Sequence, residues 1–231
     1  MNDLRNHKPI AQLIDVSKIY LGQGRETNAL KNISFLAYPG EITLFLGPSG
    51  SGKSTFLTIL AGLQSPTSGE AWLFGSRVQE YSSSGLQKLR AARIGFIFQT
   101  FHLIESLNAL ENILLVMRFN HTNKNNANRR VVHLLERFGI EYLISAYPRS
   151  MSQGEKQRVA VARALANNAA LIIADEPTGS LATEQGMNIV SLLRESAKTE
   201  NRCVIIASHD QRIADYADRV LFLKDGELSE S

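Results

Sequence analysis

Residues Gly47-Pro48-Ser49-Gly50-Ser51-Gly52-Lys53-Ser54 constrain this chain more than any other stretch. They follow an apolar segment, 41–46, that opens after the turn Pro39-Gly40, and they precede 54–61, whose spacing predicts a helix. A glycine-rich turn placed between a buried strand and a helix folds tightly, so the N–H groups from about Ser49 to Thr55 converge on one anion-sized hollow. Lys53 adds a point charge suited to the β- and γ-phosphates of a nucleotide, and the Ser54 hydroxyl suits Mg²⁺. Every fixed position of G-x-x-x-x-G-K-[ST] is filled, with Gly47, Gly52, Lys53 and Ser54 in place. A chance glycine-rich turn is the plain alternative, and the flanking strand and helix weigh against it.

A phosphate loop of this kind needs an acidic residue at the end of a second buried strand to hold the metal. The segment Leu171-Ile172-Ile173-Ala174-Asp175-Glu176 offers one. Asp175 is placed to hold Mg²⁺ and Glu176 to polarise an attacking water as general base. Read alone, Asp-Glu after an apolar run is as often a solvated strand end. Beside the phosphate loop, it reads as the second half of a nucleotide site.

The remaining strand-like segments, 11–16, 29–36, 70–74, 94–98, 204–208 and 220–223, complete the expectation of an α/β fold. Several are continuous apolar runs, which suit parallel strands covered on both faces. Between residues 99 and 168 the pattern turns helical, at 109–119, 129–138 and 152–167, with the Asn-rich stretch 120–128 reading as a solvated loop. One domain is expected over 1–231, with 1–98 and 169–231 as an α/β core and 99–168 as an inserted helical subdomain. Net charge is a mild +3 and gives no reason to expect a nucleic-acid partner. The single cysteine, Cys203, lies in an apolar run and reads as a buried small residue. No apolar run approaches the roughly 18 residues of a membrane span, so membrane association is expected only through a partner.

Other segments then fall into a known pattern. Ser152-Gln153-Gly154-Glu155-Lys156-Gln157-Arg158 resembles the signature motif of ABC ATPases, just upstream of Asp175-Glu176-Pro177-Thr178-Gly179. Gln99, after Gly95-Phe96-Ile97-Phe98, is similar to the family's Q-loop, and Ser208-His209-Asp210 to its switch histidine. Tyr20, followed by an expected loop at 21–28, resembles the aromatic residue that stacks on adenine. The resemblance runs from about Leu13 to Gly226. It is nearest to ATPases of the macrolide-exporter and lipoprotein-release type, a group that also holds a heterocyst glycolipid exporter and a cell-division ATPase.

The resemblance implies a P-loop core of ABC type with an antiparallel β part and an inserted α-helical subdomain. It implies ATP and Mg²⁺ as ligands. Tyr20, Gly47, Ser49, Gly50, Ser51, Gly52, Lys53, Ser54 and Thr55 would bind one nucleotide; Ser152, Gly154 and Glu155 would face the nucleotide of a second copy. Ser54, Gln99 and Asp175 would serve the metal, and Glu176, His209, Gln99 and Lys53 the hydrolysis. Implied partners are a second copy in a head-to-tail ATP sandwich, a membrane permease received near 101–107, and through it a periplasmic adaptor and outer-membrane channel. The implied location is peripheral, at the cytoplasmic face of the inner membrane, and the implied role is export or extraction of a lipid, lipoprotein, drug or other amphiphile. Two other readings stay open: an ATP-driven mechanotransmission regulator without transport, and a nucleotide-gated binding module that scarcely hydrolyses.

Three positions depart from the family pattern. Met151 stands where Leu is usual, which conserves volume. Gln153 stands where the first signature glycine is usual, placing a side chain next to the expected phosphate approach. Ala182 stands where the D-loop usually carries Asp. Ser152 and Glu155 are equally the ends of an ordinary capping box, which a signature helix would need in any case.

Overall fold

The computed structural model describes residues 8–22, 25–118, 123–179, 181 and 183–230. Two sheets organise the chain. Strands β1 (Ala11–Gly22), β2 (Arg25–Ala37), β4 (Ser68–Leu73) and β5 (Ser76–Arg77) form an antiparallel sheet in the order β2-β1-β4-β5. The second sheet runs β10-β9-β3-β8-β7-β6, with β10 (Glu227–Glu230), β9 (Arg219–Lys224), β3 (Ile42–Leu46), β8 (Cys203–Ser208), β7 (Leu171–Asp175) and β6 (Ile94–Ile97). All its pairings are parallel except β10 on β9.

The central parallel strands β3, β8 and β7 are mostly apolar because both of their faces are covered, whereas β9 nearer the edge alternates buried and exposed residues. Every residue of β3 and β8 is buried. Alternate side chains leave β3 in opposite directions: Ile42, Leu44 and Leu46 enter a core shared with α3 (Ala109–Arg118), α4 (Lys124–Arg137), α5 (Gln153–Leu165) and α6 (Thr183–Glu200). Phe45 enters the other core, with α1 (Lys53–Leu60) and the antiparallel sheet. There Phe35, Phe45 and Phe56 form an aromatic trio with centroids 4.3 to 5.4 Å apart. Cys203 is buried in β8, and burial pushes its thiol pKa far up, so it is an inert core residue.

Two expectations are corrected, and four elements lie where none was expected. Residues 21–28 read as a loop beyond Tyr20, but β1 runs on to Gly22 and pairs Tyr20 with Thr27 and Leu21 with Glu26. Its exposed polar end gives no alternation to read. The Asn-rich stretch is in part the first turn of α4, where Asn123 caps the helix by accepting from the Asn125 N–H at 3.0 Å. α2 (Ser83–Arg93) carries no fully buried residue and so shows no apolar stripe. The long α6 and the short β5 and β10 also lie outside the expected segments.

Candidate active site

The phosphate-loop backbone is set by steric necessity at two glycines. Gly52 caps α1 with φ of 107°, and a Cβ there would lie 2.4 Å from the Ala29 carbonyl oxygen. A Cβ on Gly47 would lie 2.1 Å from the carbonyl oxygen of Leu223. The loop thus presses its back against β2 and β9 and turns its open face toward solvent. Ser51 is buried behind it, its hydroxyl without a hydrogen-bond partner among the described residues.

That open face is one side of a cleft of about 800 Å³. Ser49, Gly50, Gly52, Lys53, Ser54 and Thr55 line it from the loop and α1. Tyr20 closes one end from β1, its hydroxyl donating to Gln64 Oε1 at 2.8 Å and lying 3.4 Å from Thr55 Oγ1. Gln99, Asp175, Glu176 and His209 line the other end, delivered by the C-terminal ends of β6, β7 and β8. Ligand sites in parallel sheets form at this edge because the strands end and the connecting loops diverge there. Gly47 and Ser51 support the cleft from beneath.

The polar groups at the strand ends form one connected set. Lys53, only 7% exposed, donates from Nζ to the carbonyls of Gly47 at 2.7 Å and Pro48 at 2.9 Å, and stands 3.9 Å from Glu176 Oε1. Glu176 Oε2 accepts from the Ser208 hydroxyl at 3.2 Å and lies 3.0 Å from His209 Nδ1. Glu176 itself has φ of 49°, a left-handed backbone that costs a non-glycine residue about 1–3 kcal/mol. Such strain concentrates where geometry serves function. Burial raises the Asp175 pKa above the usual aspartate value, opposed by a hydrogen bond from the Ser54 hydroxyl. A carboxylate withdrawn from water with a hydroxyl turned toward it is a site prepared for a cation.

Ser152, Gly154 and Glu155 lie elsewhere, at the start of α5, and line no part of this cleft. Ser152 caps the helix: its hydroxyl accepts from the Glu155 N–H at 3.3 Å while Glu155 Oε2 accepts from the Ser152 N–H at 2.7 Å. Tyr142 donates to Glu155 Oε1 at 2.7 Å, which holds the Glu155 pKa below the usual range. Ser152 and Gln153 are exposed, whereas a Cβ on Gly154 would lie 2.5 Å from Gln185 Oε1 on α6. Ala182 lies outside the described residues.

The cleft also uses residues that no motif marked. Glu26, Thr27, Asn28, Ala29 and Lys31 of β2 form a wall, and Asp225-Gly226 a corner. The β1–β2 register, which sets Thr27 opposite Tyr20, brings the wall there, and backbone bonds between Lys31 and Gly226 and between Gly226 and Ser51 bring the corner.

Residues 30–179 match the ABC transporter family. This chain belongs to that family. An uncharacterized ABC transporter ATP-binding protein of Methanocaldococcus jannaschii is 43% identical over 217 residues, covering 94% of this chain and 96% of the relative. A macrolide export ATP-binding/permease protein of Yersinia pestis is 37% identical over 221 residues, which span 96% of this chain and 32% of that longer protein. A dimeric structure of MJ0796, a bacterial ABC transporter cassette, superposes with a TM-score of 0.89 at 36% identity, covering 95% of this chain and 98% of that one. The same cassette has also been solved as a dimer in a post-hydrolysis state bound to ADP and Pi, again with a TM-score of 0.89. The protein is the ATP-binding subunit of an ABC transporter and an ATPase. No helix among its described residues is long and apolar enough to cross a membrane.

Proposed function

We propose that this ABC ATPase hydrolyses ATP at two composite sites in a head-to-tail dimer and so drives a membrane permease of the exporter or extractor type. The observation that carries the reading is the division of labour within one chain. Lys53, Ser54, Gln99, Asp175, Glu176 and His209 converge on one cleft, while the exposed Ser152 and the buried Gly154 lie elsewhere, at the start of α5. A helix N-terminus with free N–H groups is an anion site by construction, so a second copy can bring it to the γ-phosphate.

Within the cleft, Tyr20 offers its ring to the adenine, and the backbone N–H groups from Ser49 to Thr55 receive the phosphates. Lys53 carries charge to the β- and γ-phosphates once it leaves the Gly47 and Pro48 carbonyls. Glu176 is the general base for the attacking water, and His209, 3.0 Å away, keeps its carboxylate aimed and approaches the γ-phosphate. The Ser54 hydroxyl, the Asp175 carboxylate and the Gln99 amide form an all-oxygen donor set fitted to Mg²⁺, which neutralises charge on the phosphates when bound. Among the described residues no cluster of three or more acidic, histidine or cysteine side chains forms a ready metal cage, as suits an ion held largely by its nucleotide.

The chain divides, on this reading, into a nucleotide-binding core, 1–98 and 169–231, and a helical subdomain, 99–168. An apolar cavity of about 350 Å³ beside the Gln99 loop, lined by Phe98, Ile104 and Leu115 among others, suits a permease segment. The permease places the protein peripherally at the cytoplasmic face of the inner membrane, with a periplasmic adaptor and outer-membrane channel further along. The cargo class is an amphiphile such as a lipid, lipoprotein or drug, and its recognition belongs to the permease. The test is to purify tagged Glu176→Gln protein from detergent-solubilised membranes of its own cells in Mg-ATP. Recovery of a permease supports transport. Recovery of a membrane protein bound to cell-wall hydrolases replaces transport with mechanotransmission, and recovery of no membrane protein removes the permease from the account.

A further inference from the structure

The loop that delivers Gln99 to the ATP cleft is held in a conformation its residues do not favour. Phe101 and His102 are consecutive, neither is glycine, and both have left-handed backbones, with φ of 59° and 48°. A Cβ makes that region unfavourable, and two such residues in a row need an outside cause. Arg163, near the end of α5, supplies one. Its Nη1 donates to the His102 carbonyl at 2.5 Å and its Nη2 to the Phe101 carbonyl at 2.7 Å. One planar guanidinium therefore fixes two successive peptide planes, a geometry that lysine cannot reproduce. The His102 ring stacks on Phe98 with centroids 4.5 Å apart. Farther along, buried Asn112 on α3 accepts from the Ile104 N–H at 2.8 Å and donates to the Leu107 carbonyl at 2.8 Å. Residues 98–108 contain no helix or strand of their own, and these anchors act beside three short-range backbone hydrogen bonds, from the N–H groups of Phe101, His102 and Leu107 to the carbonyls of Phe98, Thr100 and Ile104. The Gln99 amide rests beside Gly179, where a Cβ would lie 3.7 Å from Nε2.

We propose that Arg163 is a positioning residue for ATP hydrolysis: by pinning the left-handed pair Phe101–His102 it holds Gln99 in the cleft. Because α5 begins just after Ser152, the clamp also makes the Gln99 loop and the signature helix one mechanical unit. It thereby ties the loop serving this chain's own nucleotide to the helix offered to the partner's. The inference rests on the reading of Gln99 given above.

The experiment measures steady-state ATPase kinetics and Mg²⁺ dependence of the purified full chain carrying Gln99→Ala, Arg163→Met, Arg163→Lys or His102→Gly, or His102→Gly combined with Arg163→Met or with Arg163→Lys. Methionine keeps the length of the side chain and removes the fork. Arg163→Met is expected to lower kcat about tenfold, equivalent to roughly 1.4 kcal/mol of barrier. KM for ATP should change less than about threefold, because the phosphate loop is untouched. Arg163→Lys should fall between the two. Glycine adopts the left-handed region without a clamp, so His102→Gly should restore most of the rate lost in Arg163→Met. A merely structural arginine would show a loss of stability with no rescue by glycine at 102, and that result overturns the proposal. If Gln99→Ala slows hydrolysis and Arg163→Met does not, the clamp falls while the Gln99 reading stands. If Gln99→Ala has no effect, both fall. Should Arg163→Met fail to fold, rescue of the Arg163→Lys rate by His102→Gly decides in its place, and absence of rescue counts against the clamp.

Discussion

The phosphate-loop cleft and the start of the signature helix both look prepared for phosphate, yet they are built in opposite ways. The cleft is deep and internally tense. Lys53 and Glu176 are nearly buried, Glu176 is held at positive φ, and the Asp175 pKa is raised by burial. The signature start is shallow and relaxed: Ser152 and Gln153 are exposed, and the capping box satisfies the N–H groups of Ser152 and Glu155. On the proposed function the tense cleft is where charge develops in the reaction, whereas a relaxed helix terminus can be presented to a second molecule without refolding. In the head-to-tail reading one chain thus carries a catalytic half of one site and a closing half of another.

The contrast can be broken most decisively at Glu176. Glu176→Gln should cut kcat by about 10²–10⁴-fold, as loss of a general base does, while a fluorescent ATP analogue still binds with nearly unchanged affinity. Lost binding would instead make Glu176 part of the binding surface. Ser152→Ala should leave ATP binding by the isolated chain intact yet abolish ATP-dependent dimer formation in size-exclusion chromatography, and removal of the cap should cost about 1 kcal/mol of stability in denaturant unfolding. A weaker nucleotide affinity in the monomer would contradict the separation of the two halves.

Asp175→Asn tests the tension itself. The folded pKa of Asp175 lies above the usual aspartate value, so its ionised form destabilises the fold at every pH above that folded pKa. The penalty fades as pH falls through the folded pKa toward the unfolded one. The nucleotide-free variant should therefore show a higher Tm than wild type near neutral pH, with the difference narrowing on acidification into the carboxylate range. An unchanged or lower Tm at neutral pH would show that Asp175 is not under this strain. The smallest effect is expected at Gln153, whose side chain is exposed and packs against no core. Gln153→Gly should cost no more than about 1 kcal/mol in urea unfolding. A larger loss would assign Gln153 a packing role.

Much of this architecture is legible in the sequence. The phosphate loop, the apolar strands 171–175 and 204–208, and the residues that converge on the cleft are short-range patterns, because strand ends and tight turns are written locally. What escapes reading depends on distant partners. The β2 wall of the cleft exists through its pairing with β1, and α2 lacks any buried face to give it a period. The Arg163 clamp joins residues about sixty positions apart, and nothing near Phe101 or His102 announces a left-handed backbone. Gly154 reads as a phosphate-approach residue, and in the structure the exposed Gln185 side chain lies close beside it.

The central claim is that the cleft of one copy meets the signature helix of another, and a cross-link tests it most directly. The only native cysteine, Cys203, is buried in β8 and stays silent. Chains carrying Ser49→Cys and chains carrying Gln153→Cys, each with Glu176→Gln to retain ATP, are mixed and treated with a short bis-maleimide. The account predicts an ATP-dependent product containing one chain of each kind, and little product from either alone. ATP-dependent coupling of Ser49→Cys chains to each other, or no coupling in the mixture, would contradict it.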